Sequence, residues 1–217
     1  AKLNYHVDFR ILRAADFGVP QNRERIFIVG INKDKFRSGL EGLVETSFFF
    51  PEPPKTPTRL GDILEPNIDI PKRYTISPRM WSGHKTRKIR NKAKGKGFGY
   101  SLVNHDSCYS STISARYWKD GSEVLIDQVD IGSTRPRTLT PREAARLQGF
   151  PDEFRIDAVS EKELYKQMGN AVALPVVEVV RDHLLNALFD LQALPGLSKA
   201  PRLHGKRPPQ QLLPLVS

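Results

Sequence analysis

A glutamine and two arginines stand directly before an apolar run in the segment QNRERIFIVG, residues 21–30. The apolar run predicts a short strand covered on both faces, because a continuous apolar stretch leaves no side for solvent. Gln21, Arg23 and Arg25 would then lie where a core strand meets an edge or a cleft. The simpler interpretation is that the arginines flank Glu24 in ordinary surface ion pairs. From this segment alone the simpler interpretation is favoured.

A second segment, residues 85–96, is rich in lysine and arginine, contains no acidic residue and is followed by the aromatic and glycine residues of GFGYS. Its cationic residues are Lys85, Arg87, Lys88, Arg90, Lys92, Lys94 and Lys96. Phosphate neutralisation requires mobile cations and close approach of the backbone, and this segment offers both. A solvated charged loop or a localisation-like stretch is the alternative. We expect a basic loop that contacts nucleic acid.

Two further segments carry polar side chains in suggestive patterns. In TISARYWKDG, Thr112, Ser114 and Arg116 alternate, so on a strand they would share one face. An ordinary half-polar strand explains this pattern equally well. In YKQMGNAVALP, Gly169 and Asn170 predict a helix end that a ligand or another backbone can approach closely. A plain helix C-cap is the better interpretation of that segment in isolation.

Composition limits the class of protein. The chain has 217 residues, a net charge of +10 and a pI near 9.8, which suits a polyanionic partner, nucleic acid before a membrane surface. No apolar run is long enough to cross a bilayer and the amino end lacks the pattern of a secretory signal, so a cytoplasmic protein is expected. With Cys108 as the only cysteine and no zinc-like histidine spacing, we expect no disulfide and no metal.

Secondary-structure signals divide the chain into four predicted segments. Residues 1–46 contain the strands of a larger sheet, and 47–135 combine a proline-rich linker with short β-like runs, including a hairpin through Asp120-Gly121. Residues 136–192 contain three helices, two of them with N-cap signals. Residues 193–217 form a basic, proline-rich tail that we expect to be disordered.

Taken together and in this order, FGVPQNRERIFIVG, RPRTLTPREAARLQGFPDEF and YKQMGNAV resemble the closing part of bacterial DNA cytosine-5 methyltransferases. The resemblance covers nearly everything from residue 5 to 190. It implies an α/β fold: the C-terminal portion of an S-adenosylmethionine-dependent methyltransferase, with an inserted small, irregular β-rich target-recognition domain. In this interpretation residues 1–46 end the catalytic domain, 47–135 are the linker and recognition domain, and 136–192 return to the catalytic domain.

The resemblance also implies roles for the arginines of the opening segment. In this family a cysteine thiolate adds to carbon 6 of a flipped cytosine, and carbon 5 then attacks the methyl group of S-adenosylmethionine. Arg25 would contact the flipped base at its carbonyl oxygen, Arg23 would order nearby backbone, and Gln21 would shape the base pocket. The functional interpretation of the three residues now outweighs the simpler one.

The remaining motifs acquire roles in the same way. Asn170 would approach the cofactor, with Gly169 and Ala171 permitting close packing. Thr112 and Ile113 match the threonine-centred element that approaches the target base pair in double-stranded DNA, and Arg116 is a candidate base or phosphate contact. The basic loop would bind the DNA backbone. A further set is expected to organise the junction between domains: Arg137, Thr140, Arg142 and Glu143.

Some family motifs are missing from these residues. There is no Phe-x-Gly-x-Gly segment, no Pro-Cys nucleophile and no Glu-Asn-Val segment, and Cys108 lies in the recognition region, so it is not the nucleophile. We therefore expect a partner polypeptide carrying the first half of a restriction-modification methyltransferase, and strands left with an uncovered face without it. The rival hypothesis is a catalytically inactive, sequence-specific DNA-binding protein. An RNA-binding role finds no supporting motif.

Overall fold

The structure is a computed structural model that describes residues 4–35 and 48–193. Its six described strands are β1 (Tyr5–Arg13), β2 (Gln21–Asn22), β3 (Glu24–Asn32), β4 (Leu102–Val103), β5 (Ser110–Ser111) and β6 (Leu125–Ile126). Its four described α-helices are α1 (Pro78–Ala93), α2 (Pro141–Arg146), α3 (Glu161–Asn170) and α4 (Leu174–Ala193). The mixed α/β class expected from the sequence is confirmed.

The chain forms two compact units. The first contains Ala1–Leu12, Glu24–Pro54 and Pro175–Ser217, and the second contains Arg13–Arg23 and Lys55–Leu174. The four segments predicted from the sequence divide the chain differently and remain a prediction. The predicted disordered tail lies outside the described residues, apart from its first residue.

In the first unit, β1 and β3 pair in a two-stranded sheet. The backbone N–H of Lys33 donates to the carbonyl of Asn4, and at the other end that of Ala14 donates to the carbonyl of Arg23, both at 2.9 Å. Residue numbers therefore rise along one strand as they fall along the other, so the strands are antiparallel.

One face of this sheet is apolar and exposed. Phe9 and Ile28 lie opposite each other in the register that these bonds set, and their side chains are 66% and 67% exposed. The other exposed apolar side chains of this face are Tyr5, Val7, Ile11 and Ile26. Within these residues only the other face, with Val29 and Ile31, is buried, so the strand is not covered on both faces; one uncovered face is what we expect of these residues without the first half of the family's domain.

The second unit is built around a core that joins distant segments. Its fully buried members include Leu60, Ile113, Leu139 and Leu147, which are far apart in the sequence. Its strands pair in parallel, β2 with β5 and β4 with β6. The predicted hairpin through Asp120-Gly121 is therefore wrong: the chain makes a turn there, but each flanking strand pairs with a strand elsewhere.

The helix starts predicted at Thr140 and Ser160 are confirmed. Thr140 caps α2 with a complete capping box to Glu143, and the Ser160 side chain accepts from the backbone N–H of Glu163 at the start of α3, as predicted. The basic segment differs from the expected loop, because most of it belongs to α1. That helix begins at Pro78 after the N-cap Ser77, a start signal typical of helices.

Candidate functional site

Gln21 is completely buried and links three parts of the second unit. Its side-chain amide N–H donates to the carbonyl of Leu147 at 2.7 Å, just after α2. Its side-chain oxygen accepts from the backbone N–H of Ile113 at 3.2 Å. We name residues 110–116 the recognition segment, after the role predicted for them from the sequence. Both ends of the Gln21 amide bind backbone, which fixes this segment against the end of α2.

Arg23 has a similar position and more partners. Its guanidinium is 2% exposed and donates to the carbonyls of Ile113 at 3.1 Å, Gly169 at 2.9 Å and Ala171 at 2.7 Å. Charged donors make stronger hydrogen bonds than neutral ones, and the planar fork of arginine can reach several acceptors at once. Arg23 thus joins the segment around Ile113 to the end of α3.

The recognition segment is held from the other side as well. The Thr112 hydroxyl donates to the carbonyl of Asn22 at 2.6 Å, and the backbone N–H of Ser110 donates to the carbonyl of Pro20 at 2.9 Å. We name the set of residues joined by Gln21 and Arg23 the central clamp: residues 20–23, 110–114, 147 and 169–171. The clamp thus contains eight of the residues singled out from the sequence: Gln21, Arg23, Thr112, Ile113, Ser114, Gly169, Asn170 and Ala171.

Arg25 belongs to the first unit. It is exposed, and its guanidinium donates to the carbonyl of its neighbour Glu24 at 2.6 Å. Its predicted contact with a flipped base remains a prediction.

The end of α3 shows why a glycine stands at position 169. A Cβ atom there would lie 2.2 Å from the carbonyl carbon of Ser114 and 2.4 Å from the backbone nitrogen of Ala115. Contacts under 3.0 Å are essentially never made by a real Cβ, so the recognition segment occupies the space of the missing side chain. Asn170 follows as an exposed residue and ends α3, in agreement with the helix end predicted at Gly169 and Asn170.

Residues 112–116 are not the strand that the alternating pattern suggested, since β5 ends at Ser111. The hydroxyl of Ser114 donates to the carboxylate of Glu123 at 2.6 Å and accepts from the backbone N–H of Arg116 at 3.1 Å. The Arg116 side chain is exposed. The partnership with Glu123 was missed, because nothing in the sequence marks that residue.

A buried ion pair lies next to the clamp. Arg137 and Glu143 are both fully buried and joined by two bonds, 2.7 and 2.8 Å long. Arg137 also donates to the side-chain oxygen of Asn67 at 2.7 Å, and Glu143 accepts from the backbone N–H of Glu65 at 2.9 Å. A buried pair is tolerated when further hydrogen bonds complete both ions, as here. The two partners in residues 65–67 were missed by the sequence analysis.

Two tyrosines complete the core near the clamp. The Tyr117 hydroxyl donates to the carbonyl of Val124 at 2.7 Å and accepts from the backbone N–H of Leu139 at 2.8 Å. The Tyr165 hydroxyl donates to the carbonyl of Leu139 at 2.7 Å. Burial raises the pKa of both phenols, so they stay neutral and serve as hydrogen-bonding groups of the core.

The basic segment is fastened to the rest of the unit through the inner side of α1. Arg87 donates to the carboxylate of Asp120 at 3.1 Å, to the carbonyl of Gly99 at 3.0 Å and to Nδ1 of His84 at 2.9 Å. His84 is buried and its Nε2 lies 3.2 Å from the carbonyl of Asp120. Burial and then the nearby Arg87 lower the pKa of His84, so the neutral ring donates from Nε2 and accepts at Nδ1.

The other cations of the basic segment are exposed. The ammonium of Lys85 lies 5.5 Å from the ring centroid of Trp81, and that of Lys88 lies 4.3 Å from that of Tyr100. The two rings pack edge to face at 4.9 Å. Arg90, Lys92, Lys94 and Lys96 also remain at the surface, as expected for contacts with a polyanion.

Metal-binding clusters and membrane-spanning helices are both absent from the described ranges. No group of three or more histidine, cysteine, aspartate or glutamate side chains there is placed to hold a metal ion. Among the helices in this part of the chain, none is long and apolar enough to cross a membrane. Cys108 is exposed and free.

Comparison with solved structures supports the fold. The methyltransferase EhMeth of Entamoeba histolytica matches 87% of this chain and 55% of its own, with a TM-score of 0.61 and 17% identity. The Dnmt2 methyltransferase of S. pombe matches 86% of this chain and 60% of its own, with the same TM-score and 22% identity. At such identities the likeness concerns the fold alone.

Sequence comparison is more specific. The Type II methyltransferase M.SsoII of Shigella sonnei is 53% identical over 187 residues, which are 86% of this chain and 46% of the relative. The Type II methyltransferase M.NlaX of Neisseria lactamica is 49% identical over 185 residues, 85% of this chain and 54% of the relative. The chain thus spans about half the length of these curated relatives. The family model for C-5 cytosine-specific DNA methylases matches residues 1–186, and the chain belongs to that family.

Proposed function

We propose that these residues form the target-reading and closing part of a DNA cytosine-5 methyltransferase of a restriction-modification system. The complete enzyme transfers a methyl group from S-adenosylmethionine to carbon 5 of a flipped cytosine in a specific site of double-stranded DNA. The observation that carries the proposal is the central clamp, because Arg23 binds the carbonyls of Ile113, Gly169 and Ala171 within a chain of this family. It ties the proposed recognition segment directly to the proposed cofactor segment.

In this proposal Gln21 and Arg23 hold the base pocket in shape, and Arg25 contacts the base itself. Gln21 and Arg23 are buried with their polar atoms on backbone, so they hold the pocket in shape. Arg25 is exposed and contacts the carbonyl oxygen of the flipped cytosine, where a fixed cation stabilises charge that develops on the ring. Thr112 and Ile113 set the approach to the target base pair, and Arg116 reads a base edge or a phosphate.

The cofactor segment fits the methyl donor of the family. Methyltransferases of this fold use S-adenosylmethionine as the methyl donor. Asn170 is exposed at the end of α3 and is flanked by two small residues, so a ligand can approach it closely. We propose that Asn170 holds the cofactor, while Gly169 and Ala171 keep the backbone around it compact.

The exposed sheet face in the first unit supports a further part of the proposal. An apolar face that includes Phe9, Ile11 and Ile28 is unfavourable in water, and each strand of the pair has one edge without a partner among the described residues. We propose that a polypeptide segment outside these 217 residues covers this face. It supplies the nucleophilic cysteine and the other family motifs that these residues lack, as a partner chain or as part of the same chain.

The proposal also assigns domains and a place of action. Residues 47–135 serve as the linker and recognition domain, between the end of the catalytic domain at 1–46 and the closing helices at 136–192. Since the proposed substrate is bacterial duplex DNA, the enzyme works in the cytoplasm.

Methyl transfer from labelled S-adenosylmethionine to duplex DNA tests the proposal. The chain is assayed alone and mixed with an amino-terminal half taken from the family. Activity in the mixture only, with DNA as acceptor, is the expected result. No activity in either case, with sequence-specific DNA binding retained, would instead establish the rival function of an inactive DNA-binding protein.

Variants of the active mixture test the site. Arg25→Gln should lower kcat by about 100-fold or more, as expected for loss of a group that stabilises transition-state charge. Arg155→Gln is the matched control, because Arg155 is an exposed arginine that pairs with the nearby Asp157 at the surface. Equal activities of the two variants would refute the role of Arg25.

A further inference from the structure

The cations of α1 are not equivalent. Successive residues of an α-helix are rotated by about 100°, so positions separated by three or four residues share a side. Lys85, Lys88 and Lys92 are spaced in this way and follow Trp81, which begins the same row. Arg79 and Arg90 fall on the opposite edge of the helix. Arg87 points inward, where Asp120, Gly99 and His84 bind its guanidinium.

We infer that Lys85, Lys88 and Lys92 form a phosphate-binding stripe that holds one strand of duplex DNA beside the recognition segment. The inference rests on the proposed function, because it takes DNA as the ligand. It assigns separate roles to residues that the sequence presents as one basic run: three lysines contact phosphates, while Arg87 and His84 attach the helix that carries them.

The charge of α1 favours a polyanion along its whole length. Residues 78–96 contain no acidic residue, so no neighbour on the helix neutralises the stripe. The helix rises about 1.5 Å per residue, which places Lys85 and Lys92 about 10 Å apart along its axis. Duplex DNA carries one phosphate per about 3.4 Å of axis on each strand, so this length matches about three phosphates.

The stripe is partly pre-organised by aromatic rings. Lys85 lies over Trp81 and Lys88 over Tyr100, and the two rings contact each other. A cation over a ring face is restrained without being neutralised. Less side-chain freedom is then lost when a phosphate binds, which favours affinity.

Attachment of α1 places the stripe near the proposed recognition residues. Asp120, which binds Arg87 and His84, follows Trp118 and Lys119 directly. These three residues line one cavity together with Met80 of α1 and the N-cap Ser77. The helix is therefore fixed to the loop that continues from Thr112 and Arg116, and a phosphate bound by the stripe helps to set the register of the bases.

The test is the salt dependence of DNA binding by the full 217-residue chain, with a short duplex oligonucleotide as the probe. Each phosphate contact contributes about 0.9 to the slope of log affinity against log salt. Lys85→Gln with Lys88→Gln should lower that slope by about 1.8. Between about 50 and about 200 mM salt, the wild type should then lose about 12-fold more affinity than this variant.

The chain offers a control of equal charge. Lys72→Gln with Arg79→Gln removes two exposed cations that lie outside the basic segment 85–96 and should leave the slope unchanged. Lys85→Arg with Lys88→Arg keeps the charge and should retain the wild-type slope, which separates loss of contacts from damage to the helix. Circular dichroism establishes that all variants are folded.

Three results would overturn the inference: equal slope changes in the two glutamine variants, no binding of duplex by the wild type, or binding to anionic lipid vesicles that duplex DNA does not displace. None of them is decided by the methyl-transfer assay. If the mixture is active but the lysine variants do not change the salt dependence of DNA binding, the proposed function stands and only this inference is refuted.

Discussion

Alanine at position 169 places one methyl group where the backbone of the recognition segment already lies. Gly169 is inside α3 and its φ is not positive, so alanine suits the backbone conformation and by helix propensity alone would stabilise the helix by about 1 kcal/mol. The new Cβ would lie 2.2 Å from the carbonyl carbon of Ser114, whereas ordinary contacts begin at 3.4 Å. Backbone must therefore move by about 1 Å.

That movement is opposed by several bonds. The carbonyl of Ser114 accepts from the backbone N–H of Tyr117 at 3.0 Å, and the carbonyls of Ile113 and Gly169 are both bound by Arg23. Overpacking of such a site costs about 1–3 kcal/mol, and each weakened hydrogen bond costs about 1 kcal/mol more. After subtraction of the propensity gain, we expect a net loss of about 1–3 kcal/mol in the free energy of unfolding.

Gly83 provides the matched control. It also lies inside a helix, α1, but no atom stands within 4 Å of the position that its Cβ would take. Gly83→Ala should therefore stabilise the protein by up to about 1 kcal/mol. The same chemical change is thus expected to have opposite signs at the two positions.

Urea unfolding followed by tryptophan fluorescence measures both variants. The two tryptophans, Trp81 and Trp118, lie in the same compact unit as the two glycines, so the signal reports that unit. A typical urea dependence converts the expected loss into a midpoint about 1 M lower for Gly169→Ala. A Gly169→Ala protein as stable as Gly83→Ala would refute the close packing of α3 on Ser114.

Three further predictions concern buried charges. Arg23→Lys should lower Tm by about 4–8 °C, because an ammonium cannot reach the three carbonyls that the guanidinium binds, and exposed Arg181→Lys should leave Tm unchanged. Glu143→Gln should cost about 3–5 kcal/mol in urea unfolding, since it leaves buried Arg137 without a counterion, whereas Glu163→Gln in an exposed pair should cost under about 1 kcal/mol. The pKa of His84 in the folded state lies below its ordinary value of 6.5. At a pH between these two pKa values, the unfolded state therefore binds more protons than the folded state. Stability should therefore rise with pH through that window and fall below about pH 6.5, and His84→Gln should flatten the dependence measured by urea midpoints from about pH 5 to about pH 8.

Helix starts are predicted well from the sequence, because they depend on local signals. The capping box of Thr140 and Glu143 and the N-cap Ser160 involve residues three apart, so the pattern itself contains the interaction. The start of α1 at Ser77 and Pro78 is an equally local signal, but this helix has no apolar stripe, so its basic residues predict a loop instead.

Non-local partners could not be predicted in this way. Arg23 binds backbone 90 to 148 residues further along the chain, and β2 pairs in parallel with β5 at similar separation. Every residue has a backbone carbonyl, so no residue type in the sequence marks the ones that accept these hydrogen bonds. Likewise, the resemblance singled out Gln21, Arg23 and Gly169, whereas their hydrogen-bond and packing partners emerged only from the fold.

Under the proposed function, the division of the chain into interleaved units bears on how new target specificities can arise. The polypeptide passes between the units at four points, after Leu12, Arg23, Pro54 and Leu174. The short excursion of residues 13–23 supplies β2 and the clamp residues to the unit that holds the recognition segment. An exchange of residues 47–135 between relatives would thus separate Thr112 and Ile113 from the partners that hold them. Successful grafts should carry both stretches together, as a discontinuous cassette.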